Sequence, residues 1–143
     1  MRLLPILLAS LLLAGCAQSP SQPPADPGLY QALGGKPGIT RLVEAMLLNV
    51  AQDPRIVSHF KNVDPVRLRD KLVEKFCVEA GGPCVYSGDS MAEAHKGQNI
   101  SKAEFNALVE DLLKAMDSQG IPVPVQNRLI ARLAPQREEV IHK

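Results

Sequence analysis

The feature that most constrains the fold of this chain is a helical spacing of apolar residues, which recurs four times between glycine and proline breaks. From Pro37 to Gln52, apolar side chains follow one another at intervals of three and four residues, which places them on one face of an α-helix. The same spacing follows Asp64–Pro65, Ser101 and Pro122, and no stretch alternates with period two for more than a few residues. The sequence therefore predicts an all-α domain with four long helices and several short turns.

Short polar motifs predict where these helices begin. Asp53–Pro54 and Asp64–Pro65 each combine a capping aspartate with a proline suited to the first helical position. Ser101 and Glu104 have the spacing of a capping box, in which the two side chains satisfy the first backbone donors of the helix. We therefore expect a short helix after Asp53 and long helices after Asp64 and Ser101.

The first sixteen residues have the pattern of an export signal. Arg2 precedes the apolar run from Leu3 to Leu13, which is too short to span a bilayer stably. The run ends in Ala14, Gly15 and Cys16, and residues 1–16 resemble a bacterial lipoprotein signal in which the cysteine is lipidated. An ordinary secretory signal cut nearby is the alternative.

The expected localisation of the protein and its domain boundaries follow from this interpretation of residues 1–16. Ala17, in place of aspartate, resembles the pattern that leads to the outer membrane, so we expect a lipid-anchored protein of the bacterial cell envelope that faces the periplasm. Residues 17–27 are rich in Ser, Gln, Pro and Ala and predict a flexible tether. Residues 28–143 form the domain. Without residues 1–16, 15 Lys and Arg face 15 Asp and Glu, so no nucleic-acid partner is expected.

One histidine lies in the loop region between the second and third of the four predicted long helices. The stretch from Tyr86 to Gly97 contains His95, after a Gly81–Pro83 break and before the helix start at Ser101. A neutral imidazole held in this way suits an iron ligand, but the same position also suits an ordinary core histidine.

From about Leu29 to Ile141 the chain resembles the group 1 truncated haemoglobins. The matching pieces, in chain order, are Leu29–Gly35, Asp53–Arg55, His59–Phe60, Val63–Asp64, Gly81–Pro83, Tyr86–Gly88, Met91, Ala94–Gly97, Ile100–Ser101 and Ala134–Pro135. The resemblance implies a two-over-two helical sandwich around one haem b per chain.

The resemblance also implies roles for individual residues. His95 matches the proximal ligand of the haem iron, Phe60 matches a phenylalanine that stacks on the porphyrin, and Lys71 matches a basic residue that meets a haem propionate. For Lys71 a solvated helix face is the alternative, and for the apolar residues it is ordinary core packing. The other positions expected to contact the cofactor are Leu68, Leu72, Phe76, Tyr86, Met91, Ile100 and Phe105.

On the distal side, where a gas ligand would lie, the chain departs from the family. Many members place a tyrosine and a glutamine where this chain has Leu47 and Leu72, and the neighbouring Met46 and Leu68 are also apolar. Dioxygen held there carries partial negative charge and gains from a hydrogen-bond donor, whereas carbon monoxide is less polar. We therefore expect an unusually strong preference for CO over O₂. The apolar residues also count against nitric oxide dioxygenase or peroxidase activity.

Two cysteines remain after Cys16. Cys77 and Cys84 form an even pair in an exported domain, which favours a disulfide over two free thiols. Zinc is disfavoured because no second pair of ligands accompanies them. His59 is expected on the outer side of a short helix, where a role as second iron ligand is disfavoured, and His142 is expected to be solvated.

The function that these expectations favour is a lipid-anchored haem protein that binds O₂, CO or NO and is reduced by an unidentified reductase. A cofactor-free interaction module on the same fold is one alternative, and a haem redox or sensor protein is another. Visible absorption of the purified protein separates the module from the haem proteins.

Overall fold

The computed structural model describes residues 26–143, in which helices are joined by turns and loops and the only strand-like feature is one isolated bridge. The predicted signal and lipidation site at Cys16, and nearly all of the predicted tether, lie outside the described residues. The described elements are α1 Leu29–Ala32, α2 Gly35–Gln52, a 3-10 helix Val57–Phe60, α3 Pro65–Glu79, α4 Met91–Ala94, α5 Lys102–Ser118, α6 Val123–Leu133 and a 3-10 helix Ala134–Glu139.

Two of the three predicted helix starts are confirmed. The Asp64 side chain accepts hydrogen bonds from the backbone N–H groups of Val66 and Arg67 at 2.9 and 3.0 Å, so it caps α3. Ser101 and Glu104 form both bonds of a capping box at the start of α5. These motifs are local, because each cap satisfies donors within three residues of itself.

The short helix expected after Asp53 is present as the 3-10 helix Val57–Phe60, but its predicted start at Asp53 and Pro54 is wrong. Asp53 instead ends α2, and its carboxylate accepts from the backbone N–H and the guanidinium of Arg55 at 2.7 to 3.0 Å. The following 3-10 helix begins only at Val57 and has no side-chain cap. The Arg55 guanidinium engages the oxygens that would otherwise cap a helix.

The four long helices form the predicted two-over-two sandwich, which confirms the all-α expectation. α2 packs against both α3 and α5, while α6 contacts α1 and α3. The side chains that are 0% exposed include Ile39, Leu42 and Val43 of α2, Met116 of α5 and Leu129 of α6. Aliphatic side chains and methionine therefore close the core between the two layers.

The turn after α3 is held by a disulfide. Cys77 and Cys84 are bonded, with Cα atoms 5.9 Å apart, and Cys77 is fully buried. A Cβ at Gly82 would lie 2.7 Å from the Cys77 sulfur and would overlap the ring of Tyr30, so this close passage of the backbone requires glycine.

Among the helices of residues 26–143, none combines the length and the apolar character that a membrane-spanning helix requires.

Candidate functional site

His95 is held by the backbone of the short helix that precedes it. Ser90 caps α4 by accepting from the Glu93 backbone N–H at 3.2 Å, and His95 is the residue at which α4 ends. Its Nδ1 lies 2.7 Å from the Met91 carbonyl oxygen. A carbonyl only accepts hydrogen bonds, so Nδ1 carries a proton and, in the neutral imidazole, Nε2 presents a lone pair. The half-buried imidazole thus has the tautomer that a metal ligand needs.

The end of the chain fixes the loop that follows His95. The Asn99 backbone N–H donates to the Lys143 carbonyl at 2.9 Å, and the His142 N–H donates to the Ile100 carbonyl at 3.0 Å. The predicted solvated position of His142 is correct for its exposed side chain, but its backbone is part of this contact. The α4 helix itself packs on the 3-10 helix Ala134–Glu139.

Most of the side chains that are predicted to contact a cofactor are less buried than the core side chains. Core residues of α2 and α5 are at most 5% exposed, whereas the predicted contacts keep apolar surface at an intermediate level. Half-buried in this way are Phe60, Leu68, Leu72, Tyr86, Met91, Ile100 and Phe105. Two other predicted positions, Phe76 and Met46, lie in the hydrophobic core at 5% and 3% exposure.

An apolar cavity of about 250 Å³ brings part of the predicted site together. It lies between the end of α2, the 3-10 helix Val57–Phe60 and the start of α3, and three of the predicted residues line it: Leu47, Phe60 and Leu68. Met46 and Leu72, also predicted for the distal side, are not among its lining residues. Lys61 is the one polar side chain of the lining. The cavity therefore offers an almost donor-free wall.

Lys71 is tied to neighbouring groups of the protein. Its ammonium lies 3.2 Å from both carboxylate oxygens of Glu74 and donates to the hydroxyl of Ser87. The Ser87 backbone N–H also donates to Glu74, at 2.9 Å, and together with the Ser87 hydroxyl and Lys71 it lowers the pKa of Glu74. Neither predicted role of Lys71, propionate contact or solvated face, is tested by this arrangement.

Tyr86 lies beside this network. Its hydroxyl donates to the Asp89 carbonyl at 2.7 Å, and the Lys75 ammonium lies 5.2 Å from its ring centroid. Burial, followed by the charges of Asp89 and Glu74, raises the pKa of Tyr86. The tyrosine is therefore neutral at physiological pH and joins α3 to the loop before α4.

The expectation that His59 faces outward is wrong. Its side chain is 19% exposed, and its Nε2 lies 2.9 Å from a carboxylate oxygen of Glu104 on α5. Because Glu104 is 45 residues away in the chain, no local pattern could reveal the pair.

A second, polar cavity of about 260 Å³ was not foreseen from the sequence. Asn49, Asp53, Arg55 and Asp111 contribute to its lining. The Arg55 side chain lowers the pKa of Asp53 to about 2, while burial raises the pKa of Asp111, whose Oδ2 has no hydrogen-bond partner. No group of three or more His, Cys, Asp or Glu among residues 26–143 is placed to hold a metal ion. Paired charges of opposite sign dominate this cavity.

Three features define a globin-type protein. They are the two-over-two sandwich, a histidine at the end of α4 whose Nδ1 carries the proton, and an apolar cavity beside Phe60. Comparison with known proteins agrees. A family model described as bacterial-like globin matches residues 28–142, and the chain belongs to that family.

Curated and solved relatives cover most of the chain. It is 32% identical over 119 residues to a group 1 truncated hemoglobin from Synechocystis sp., a match that spans 80% of this chain and 93% of that protein. The crystal structure of a truncated hemoglobin from Tetrahymena pyriformis in the Fe(III) form superposes with a TM-score of 0.78 at 29% identity, covering 80% of this chain and 98% of that one.

Proposed function

We propose that this chain binds one haem b with His95 Nε2 as the proximal iron ligand, and that it holds a diatomic gas on the opposite side. The observation that carries the proposal is the 2.7 Å bond from His95 Nδ1 to the Met91 carbonyl, because it leaves Nε2 free to donate its lone pair. When bound, haem iron supplies the position at which O₂, CO or NO coordinates. Membership of the bacterial-like globin family and the truncated hemoglobins among its relatives support the assignment.

The residues of the chain fit a flat, mostly apolar cofactor with charged edges. The half-buried Phe60, Met91, Ile100 and Phe105 offer apolar surface, on which a porphyrin would exclude water. Lys71 would hold a propionate, in competition with Glu74, which already lies 3.2 Å from its ammonium. The chain therefore offers the cofactor one nitrogen ligand, an apolar contact surface and one cation.

The distal residues favour gas binding over acid–base chemistry. Leu47 and Leu68 line the apolar cavity beside Phe60, and no His, Asp or Glu is among its lining residues. A peroxidase or dioxygenase needs a group that moves a proton or stabilises charge near the reacting atoms. We therefore propose reversible gas binding with CO strongly preferred over O₂.

A visible spectrum after hemin addition tests the proposal. The wild-type protein should acquire the intense absorption of a haem protein, and His95→Ala should lose the spectrum of a histidine ligand. His142→Ala is the matched control, since this exposed imidazole bonds to Asn99 at 3.1 Å, and it should behave as wild type. A wild-type protein that stays colourless with hemin would refute haem binding and favour the cofactor-free module.

We also propose that lipid on Cys16 anchors the domain to the outer membrane of the bacterial cell envelope, where the domain faces the periplasm. The support is the sequence alone, residues 1–16 for the anchor and Ala17 for the outer membrane. A reductase of unassigned identity would keep the haem iron ferrous. Cys16→Ser should release the protein from the membrane fraction and remove the acyl mass from its N-terminus. Retention of the variant in that fraction would contradict the anchor.

A further inference from the structure

One carboxylate, that of Glu104, connects two parts of the chain that lie far apart in sequence. Its Oε1 lies 2.9 Å from His59 Nε2 on the 3-10 helix Val57–Phe60. Its Oε2 accepts from the Ser101 backbone N–H at 2.8 Å and from the Ser101 hydroxyl at 2.7 Å. Each oxygen thus serves a different segment, and both segments are fixed to the start of α5.

The members of this network are sequence neighbours of residues in the proposed haem contact. His59 precedes Phe60, Ser101 follows Ile100, and Glu104 precedes Phe105. The backbone of a residue next to an anchored residue cannot move far without breaking that anchor, since neighbouring Cα atoms are held about 3.8 Å apart. The network therefore restrains the backbone from which three of the apolar side chains extend, those of Phe60, Ile100 and Phe105.

The charge of Glu104 makes both arms strong. The Ser101 backbone N–H, then the side chains of His59 and Ser101, lower the pKa of Glu104 to about 2, so it is a carboxylate at physiological pH. Hydrogen bonds to a charged group are shorter and about twice as strong as those between neutral groups. With side-chain exposures of 19% for His59 and 30% for Glu104, the pair is also partly shielded from water.

We propose that Glu104 is a positioning residue for the haem, which holds Phe60 through His59 and holds Ile100 through Ser101. The inference rests on the proposed haem binding. It assigns the retention of the cofactor in part to a group that never touches the cofactor.

Hemin transfer to an excess of an apoglobin acceptor measures retention, and single-arm variants separate the two connections. His59→Ala removes one arm, and Ser101→Ala removes the hydroxyl bond of the other arm while keeping the bond from the Ser101 backbone N–H. Each should accelerate hemin loss about tenfold, the effect of losing one charge-assisted bond. Glu104→Ala removes every bond of both arms and should accelerate hemin loss by at least the product, on the order of a hundredfold. His59→Gln keeps a donor in place and should restore most of the retention. Glu110→Ala is the matched control on α5, since Glu110 pairs with Arg55 at 2.7 Å outside the network.

Amide hydrogen exchange of the same purified proteins without hemin gives a readout that a general loss of stability would not produce. His59→Ala should raise exchange around residues 56–63, Ser101→Ala around 99–105, and Glu104→Ala in both segments, with α2 protected throughout. Uniform deprotection of the whole domain would contradict a positioning role.

Measurements of hemin uptake and of hemin release distinguish a failure of this inference from a failure of the proposed haem binding. If the wild-type protein takes up no hemin, haem binding fails, and the positioning role fails with it. If the wild type binds hemin and Glu104→Ala releases it at the wild-type rate, the positioning role alone is refuted.

Discussion

If the proposed CO preference holds, a tyrosine at position 47 should convert the pocket into one that retains dioxygen. Leu47 lines the apolar cavity of about 250 Å³ beside Phe60 and Leu68, which leaves room for a phenol ring. A hydroxyl there would donate to the partial negative charge of dioxygen. Hydrogen bonds to charged groups contribute about 1.5 to 3 kcal/mol, and about 1.4 kcal/mol corresponds to a factor of ten. Leu47→Tyr should therefore slow dioxygen release by about 10- to 150-fold.

Leu47→Phe is the control that isolates the hydroxyl, because it adds the ring without the donor. Oxygenated protein is mixed in a stopped-flow instrument with excess CO and dithionite, and the replacement of dioxygen by CO is followed at the Soret band. We expect the two variants to bind CO alike and to differ in dioxygen release by the stated factor. Equal dioxygen release from both, with CO binding intact, would show that the distal wall does not set the selectivity.

Three further predictions concern the stability of the domain. Burial raises the pKa of Asp111, so the stability that it contributes is complete below its unfolded pKa and is lost as pH rises through the raised value; urea unfolding from about pH 4 to about pH 8 should show this loss in the wild type and not in Asp111→Asn, and parallel curves would contradict it. Cys77 and Cys84 should yield no reactive thiol before reduction, and replacing both by alanine should lower the free energy of unfolding by about 2.5 kcal/mol; two free thiols in unreduced protein would exclude the bond. Asp64→Ala should cost about 1 kcal/mol in the same unfolding assay, because its carboxylate caps α3, and an unchanged midpoint would argue against the cap.

The parts of the fold that could be predicted from the sequence are those fixed by local chemistry. The caps at Asp64 and Ser101 satisfy donors two or three residues away, so the motif and the structure coincide. The apolar spacing of α2 identifies Ile39, Leu42, Val43 and Met46, all of which are buried. A pattern that extends over one helix needs no knowledge of its neighbours.

Long-range pairing explains what the sequence could not predict. Asp53 has the appearance of a helix cap, but Arg55 reaches back to its carboxylate and across to Glu110 on α5. His59 has the appearance of a surface residue until α5 places Glu104 against it. The partner of His59 is 45 residues distant, and the Arg55 that binds Asp53 also pairs with Glu110, 55 residues away.

The third helix shows how one element serves both stability and the site. Val73, Phe76 and Cys77 lie on its core face and are at most 5% exposed. Leu68 and Leu72, spaced four residues apart on another face, remain half-buried, and Leu68 lines the apolar cavity. Adjacent residues such as Leu72 and Val73 therefore have different environments. Leu72 keeps surface that a ligand could contact, whereas Val73 is buried in the core. A substitution at Leu68 should therefore change the cavity wall without opening the core, whereas Leu72 also packs against the core.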